Sequence, residues 1–123
     1  MKYLFLALGG VIGVIGRYQI GVWISDWNST PFPWATLIIN VTGSLAIGFL
    51  MRYLTGVASS PNVRLMFVTG FCGGYTTMST FSYELVNLFT ERQYGLGMLY
   101  LGSTIVLAPL AVLAGFVLAE LAL

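Results

Sequence analysis

Residues 70–84 read GFCGGYTTMSTFSYE. The stretch lies in a chain that is otherwise almost uniformly apolar. Paired glycines at Gly73 and Gly74 disfavour a helix, and the Tyr75-Thr76-Thr77 that follows adds β-branched residues. Hydroxyl side chains fill four of the five positions 76–80, and a glutamate, Glu84, comes next. In a bilayer, an interrupted helix is tolerated only where it is buried in protein or lines water. The stretch therefore predicts a membrane helix interrupted part-way, with its freed backbone groups facing other helices or an ion.

The surrounding composition supports the membrane. The 123 residues are 58% hydrophobic and only 7% charged, with a mean hydropathy of +0.90. A water-soluble domain carries about a quarter charged residues. A net charge of +1 without a basic stripe excludes a nucleic-acid-binding surface. The single cysteine, Cys72, excludes an intrachain disulfide, and the lack of histidine removes the commonest metal ligand. The N-terminal segment begins like a signal peptide. Its apolar run continues to Trp23 with Arg17 inside it, so a retained helix is expected.

Four spans of about 20 residues fit, at about 3–24, 34–54, 63–89 and 95–121. They form a single four-helix transmembrane domain over residues 1–123. DWNSTPFP, TGVASSPN and TERQY separate them, all short and rich in turn residues or charge. Trp23, Trp27, Trp34 and Tyr94 fall near span ends, where aromatic belts form. An even number of spans puts Lys2, Arg52 and Arg64 on one side and Arg92 on the other. Three against one is a weak positive-inside bias, compatible with insertion in both orientations. Gly9 and Gly13 share a helix face, the small-xxx-small pattern of close helix packing.

Polar groups inside the spans need a partner or a task. Thr36, Asn40, Ser44 and Gly48 recur every fourth residue and make one stripe. Asn40 fits an interhelical hydrogen bond and a pore donor equally. Arg17 reads as a structural anchor that can snorkel to an interface. Glu84 must find a donor, face water or remain protonated. Tyr100 and Thr104 share a face of the fourth span with Ser103 beside them, and Pro109 predicts a kink. Carbonyls at the interruption can ligate a cation. The hydroxyls of Thr76, Thr77, Ser79 and Thr80 can patch the backbone or meet an ion. The Phe81 ring edge has positive character suited to an anion.

Taken in order, GGVIGVIGRY (9–18), TLIINVTGSLAIGF (36–49) and GFCGGYTTMSTFSYE resemble the Fluc (CrcB) family of fluoride channels. The likeness covers nearly the whole chain. It implies an all-α membrane protein in the plasma membrane of a bacterium or archaeon. Two copies insert antiparallel as a dual-topology homodimer, with two fluoride pores along the interface. A structural sodium ion lies at the centre on backbone carbonyls, here matched by Gly73 and Thr76. The pore asparagine matches Asn40, a Phe-box ring matches Phe81, and the glutamate on the fluoride route matches Glu84. Arg17 matches a structural arginine. Ser79, Thr80, Tyr100, Ser103 and Thr104 match hydroxyls along the ion's path. Met78 departs from the family, which usually has phenylalanine there; methionine has no ring edge.

The implied activity is passive, selective export of fluoride from the cytoplasm, conferring fluoride resistance, and no enzymatic reaction. No Walker-type glycine loop is present to bind ATP. A proton-coupled small multidrug-type exporter is also short and four-span, but it relies on a carboxylate in the first span, where this chain has Arg17. A non-transporting membrane subunit is the other alternative, and it would leave the Asn40–Ser44 stripe dispensable.

Overall fold

The computed structural model describes residues 1–123, and every regular element in it is helical. Helix α1 spans Lys2–Trp27 and α2 spans Trp34–Gly56. A helical segment follows in three pieces: a short α3 at Pro61–Arg64, a wide π-helical segment π1 at Leu65–Cys72, and a short α4 at Gly73–Tyr75. Helix α5 covers Met78–Thr90 and α6 covers Tyr94–Ala122. Helices α1, α2 and α6 are long and apolar enough to cross a membrane. At 1.5 Å per residue they measure about 39, 35 and 44 Å, more than the ~30 Å hydrocarbon core.

Each connection is local chemistry. After α1, Asn28 accepts from both the amide and the hydroxyl of Thr30 (3.0 and 2.6 Å) and donates to the Phe32 carbonyl (2.7 Å). This folds the Pro-rich loop so that Pro33 precedes α2. Ser60 caps α3, accepting from the Val63 amide, with Pro61 in the first turn, where no amide hydrogen is needed. Helices α2 and α5 end alike. The Ser59 amide donates to the Leu54 carbonyl and the Gln93 amide to the Leu88 carbonyl, which puts Ala58 (φ 51°) and Arg92 (φ 60°) in the left-handed region.

Two close crossings set the packing. Helix α1 lies on π1 and α4, where Gly9 and Gly13 bring its backbone against the carbonyls of Met66 and Phe71. Helix α2 runs along α6, where Gly48 meets the Val112 carbonyl and Gly115 meets the backbone of α2. A Cβ at any of these four glycines would enter the neighbour's backbone, the small-residue route to close contact in lipid. A core of Phe32, Leu37, Phe81, Leu88 and Tyr100 fills the space between α2, α5 and α6. The Phe81 and Tyr100 ring centroids lie 4.9 Å apart there. Helix α6 continues through Pro109 to Ala122, so the proline ends no helix. Only 19 of 123 residues are buried, and the outward faces of α1 and α6 are almost wholly apolar, as lipid contact requires.

Candidate functional site

The helical segment that begins at Pro61 stops at Tyr75. Thr76 (φ −83°, ψ 157°) and Thr77 (φ −147°, ψ 121°) are extended, and the chain re-enters a helix at Met78. Backbone groups freed by such an interruption must be satisfied. Asn40 does this from α2. Its Nδ2 donates to the Thr77 carbonyl (3.0 Å), and its Oδ1 accepts from the Thr77 amide (2.9 Å). Thr77 also caps α5, its hydroxyl oxygen accepting from the Thr80 amide (3.2 Å). The Thr76 amide and hydroxyl both donate to the Cys72 carbonyl (3.0 and 2.9 Å). Arg17 Nε donates to the Gly74 carbonyl (3.1 Å), placing a cation at the negative C-terminal end of the first half.

Two recesses flank the interruption, and a third adjoins the second. The largest, about 530 Å³, is lined by uncharged residues only, among them Asn40, Thr76, Thr77, Met78, Phe81 and Thr104. A second, of about 440 Å³, holds Arg17, Asp26, Thr36, Thr77, Thr80 and Glu84. A third, of about 280 Å³, carries Glu84 past Asn87 and Glu91 to the loop at Asn28 and Thr30. The first two share Thr77, and the second and third share Glu84. The N-terminal end of α5, which carries positive partial charge, faces the second recess through Thr77 and Thr80.

Glu84 does not stand alone. Its Oε1 accepts from the Thr36 hydroxyl (2.5 Å) and, at longer range, from the Tyr100 hydroxyl (3.4 Å). Both donors are buried. Thr36, Asn40, Ser44 and Gly48 thus serve four separate contacts along one face of α2: Glu84, the Thr77 backbone, the large recess and the α6 backbone.

The structure brings most of the sequence-selected residues together, but not all. Met78 lines the large recess with its side chain open to the surroundings, whereas Phe81 is buried against Tyr100. Ser79 is exposed beside the Thr77 hydroxyl. Ser103 is set apart, donating to its own helix at the Leu99 carbonyl (2.6 Å) and lining none of the three recesses. Its neighbour Thr104 does line the large recess. Gly73 and Thr76 also line it, and no inter-element or side-chain hydrogen bond ends on either carbonyl. No group of three or more His, Cys, Asp or Glu stands together to hold a metal, so a bound cation would rest on carbonyl, amide or hydroxyl oxygens. Such oxygens suit a hard ion such as sodium, and Gly73 and Thr76 fit that requirement. Thr36, the donor to Glu84, was visible in the sequence only as part of the α2 stripe.

Residues 4–116 match the family model described as CrcB-like protein, Camphor Resistance (CrcB). The chain belongs to the CrcB family. Among curated relatives, the fluoride-specific ion channel FluC of Acidobacterium capsulatum is 47% identical over 118 residues, covering 95% of this chain and 94% of the relative. The fluoride-specific ion channel FluC of Rhizobium meliloti is 40% identical over 116 residues, covering 94% and 93%. That of Sulfurihydrogenibium is 39% identical over 121 residues, covering 98% of each.

Proposed function

We propose that this CrcB-family chain is a passive, selective fluoride channel that lets cytoplasmic fluoride leave a bacterium or archaeon across its plasma membrane. Two copies pair antiparallel, each contributing to two pores, and the interruption at Thr76–Thr77 lies at mid-membrane. A sodium ion at the centre takes the Gly73 and Thr76 carbonyls of both copies. The position of the Asn40–Thr77 bridge, where an uncharged recess meets one holding Arg17 and Glu84, supports this most directly.

Fluoride is small and tightly hydrated, so a pore must replace its water with donors that release it again. Amide, hydroxyl and ring-edge hydrogens attract it moderately. The large recess offers these and no lysine or arginine to trap the ion. Phe81, Thr80 and Glu84 continue the route toward the loop end, with Tyr100 and Thr104 beside it. Arg17 holds the Gly74 carbonyl and so fixes the interruption's geometry. A nearby cation lowers the cost of bringing an anion into low dielectric.

The test is fluoride efflux from liposomes containing the purified chain, with potassium and valinomycin setting the voltage and chloride as control. Rapid fluoride loss with chloride retained is expected. Folded, dimeric protein that releases no more fluoride than empty liposomes overturns the proposal. A proton-coupled exporter would need a proton gradient for flux, whereas the channel passes fluoride under voltage alone.

A further inference from the structure

A separate groove of about 190 Å³ lies where α1, α2 and π1 meet. Gly9 and Ile12 of α1, Leu50 of α2, and Met66, Phe67 and Phe71 of π1 line it, and its open wall is wholly apolar. Gly9 packs on the Met66 carbonyl, so no Cβ fills the angle between the two elements. Ile12 and Phe67 are exposed, so the groove opens outward. It shares no residue with the recesses around Thr76, Thr77 and Glu84, and so lies outside the proposed fluoride route. A dry apolar cavity of ~150 Å³ already admits a benzene ring. This groove is large enough for a length of hydrocarbon chain.

All three walls lead to a cation at the same end. Arg64 precedes Met66 by two residues, Arg52 follows Leu50 by two, and Lys2 precedes Gly9 by seven. Helix α1 and the segment from α3 to α4 run parallel, since Gly9 meets Met66, Gly13 meets Phe71 and Arg17 meets Gly74. The first turn of α1 therefore lies beside α3, which it touches. At 1.5 Å per residue Lys2 stands about 10 Å beyond Gly9 along the axis, at headgroup level over an acyl-level groove. Arg52 is engaged by Glu120. Lys2 and Arg64 are exposed and have no carboxylate partner. The Lys2 ammonium lies 5.2 Å from the Tyr3 ring centroid, and Arg64 Nη2 donates to the Ser59 carbonyl (3.3 Å). The remaining acids stand elsewhere: Asp26 at the opposite end of α1, Glu91 in a recess with Ser25, and Glu84 near the interruption.

We infer that this groove, with Lys2 and Arg64, holds one anionic diacyl phospholipid. An acyl chain lies against Ile12, Leu50 and Phe67, and the phosphate lies between the two cations. A headgroup of net negative charge is favoured over a zwitterionic one, because the only carboxylate side chain at this end, Glu120, is already paired with Arg52. Lipid is favoured over free phosphate because the dry groove continues directly from the charged end and needs hydrocarbon to fill it. The inference does not depend on what the protein transports.

The experiment uses the full-length chain in detergent micelles containing phosphatidylglycerol and phosphatidylcholine with identical acyl chains. Native mass spectrometry reads the lipid retained per chain as each lipid is titrated. Phosphatidylglycerol is expected to be retained in preference. A cation at the membrane surface strengthens such binding about fivefold, so Lys2→Gln with Arg64→Gln should weaken it about 25-fold and leave phosphatidylcholine unchanged. Should the double variant fail to fold, each single variant, with about a fivefold loss, takes its place. Ile12→Trp, at the open edge of the groove, should also weaken phosphatidylglycerol binding at least fivefold. Arg92→Gln, at the opposite end, should not. Equal retention of the two lipids overturns the inference. So does an Arg92→Gln loss as large as that of the Lys2 and Arg64 variants, which would mark unspecific surface attraction. Unchanged binding in Ile12→Trp, or displacement of the lipid by glycerol phosphate at equal concentration, overturns it as well, since the groove would then hold no chain.

Discussion

Substituting Asn40 tests the centre of the site. Its amide makes two hydrogen bonds to one residue, both to the Thr77 backbone, at 3.0 and 2.9 Å. Asn40→Ala leaves a carbonyl and an amide without partners in a half-buried place. Each unpaired backbone group costs about 1–3 kcal/mol, of which relaxation and water recover a part. A net local cost of about 3 kcal/mol corresponds to roughly a hundredfold change in an equilibrium constant. Two readouts follow. Hydrogen exchange at the Thr77 amide should accelerate by about two orders of magnitude. Fluoride efflux from liposomes should fall by a similar factor, because the extended backbone that shapes the route is no longer held. Asn40→Asp keeps the acceptor for the Thr77 amide but places a carboxylate against the Thr77 carbonyl, and efflux should fall at least as far. Asn40→Ala protein that remains dimeric, exchanges Thr77 slowly and transports fluoride within threefold of the unmodified chain would refute the reasoning.

Arg17→Ala should lower efflux because the Gly74 carbonyl loses its donor, and Arg17→Lys, whose ammonium can still donate to that carbonyl, should retain more of it; efflux of both variants is the check. Gly48→Val should prevent α2 from approaching α6 at Val112, lowering the thermal midpoint in detergent by several degrees, whereas the same change at the open Gly95 should not. Ala58→Gly should stabilise the protein by about 1 kcal/mol, since the left-handed backbone there penalises a Cβ, as thermal unfolding would register. Met78→Phe should fit without strain, because Met78 is 71% exposed, and should raise fluoride current by adding a ring edge at the recess wall.

Much of the fold was legible because lipid leaves the backbone few options. Apolar runs of the right length, separated by Pro- and Asn-rich turns, must be helices. The paired glycines and hydroxyl run marked where helical backbone lapses, at Thr76 and Thr77. The partners were not legible. Asn40 engages a main-chain group of Thr77, and main-chain acceptors leave no trace in residue identity. Ser103 and Thr104 are neighbours pointing about 100° apart on a helix, so choosing between them needed the position of α6 relative to α2 and α5. Segment π1 carries no local signal in Leu65–Cys72. Its wide turn accompanies the close fit to the glycine face of α1.

That close fit has a mechanical consequence. With backbone against backbone at Gly9 and Gly13, α1 and the segment from π1 to Tyr75 have no side-chain cushion between them and move as one block. Helices α2 and α6, interlocked at Gly48 and Gly115, make a second block, on which α5 leans through Phe81 and Leu88. Thr76 and Thr77 bridge the seam; Asn40 reaches Thr77 from the second block, while Arg17 holds Gly74 within the first. Sliding of one block past the other would therefore be taken up at Thr76 and Thr77, against the resistance of the Asn40 bridge and of the Thr42–Tyr75 hydroxyl contact (2.9 Å).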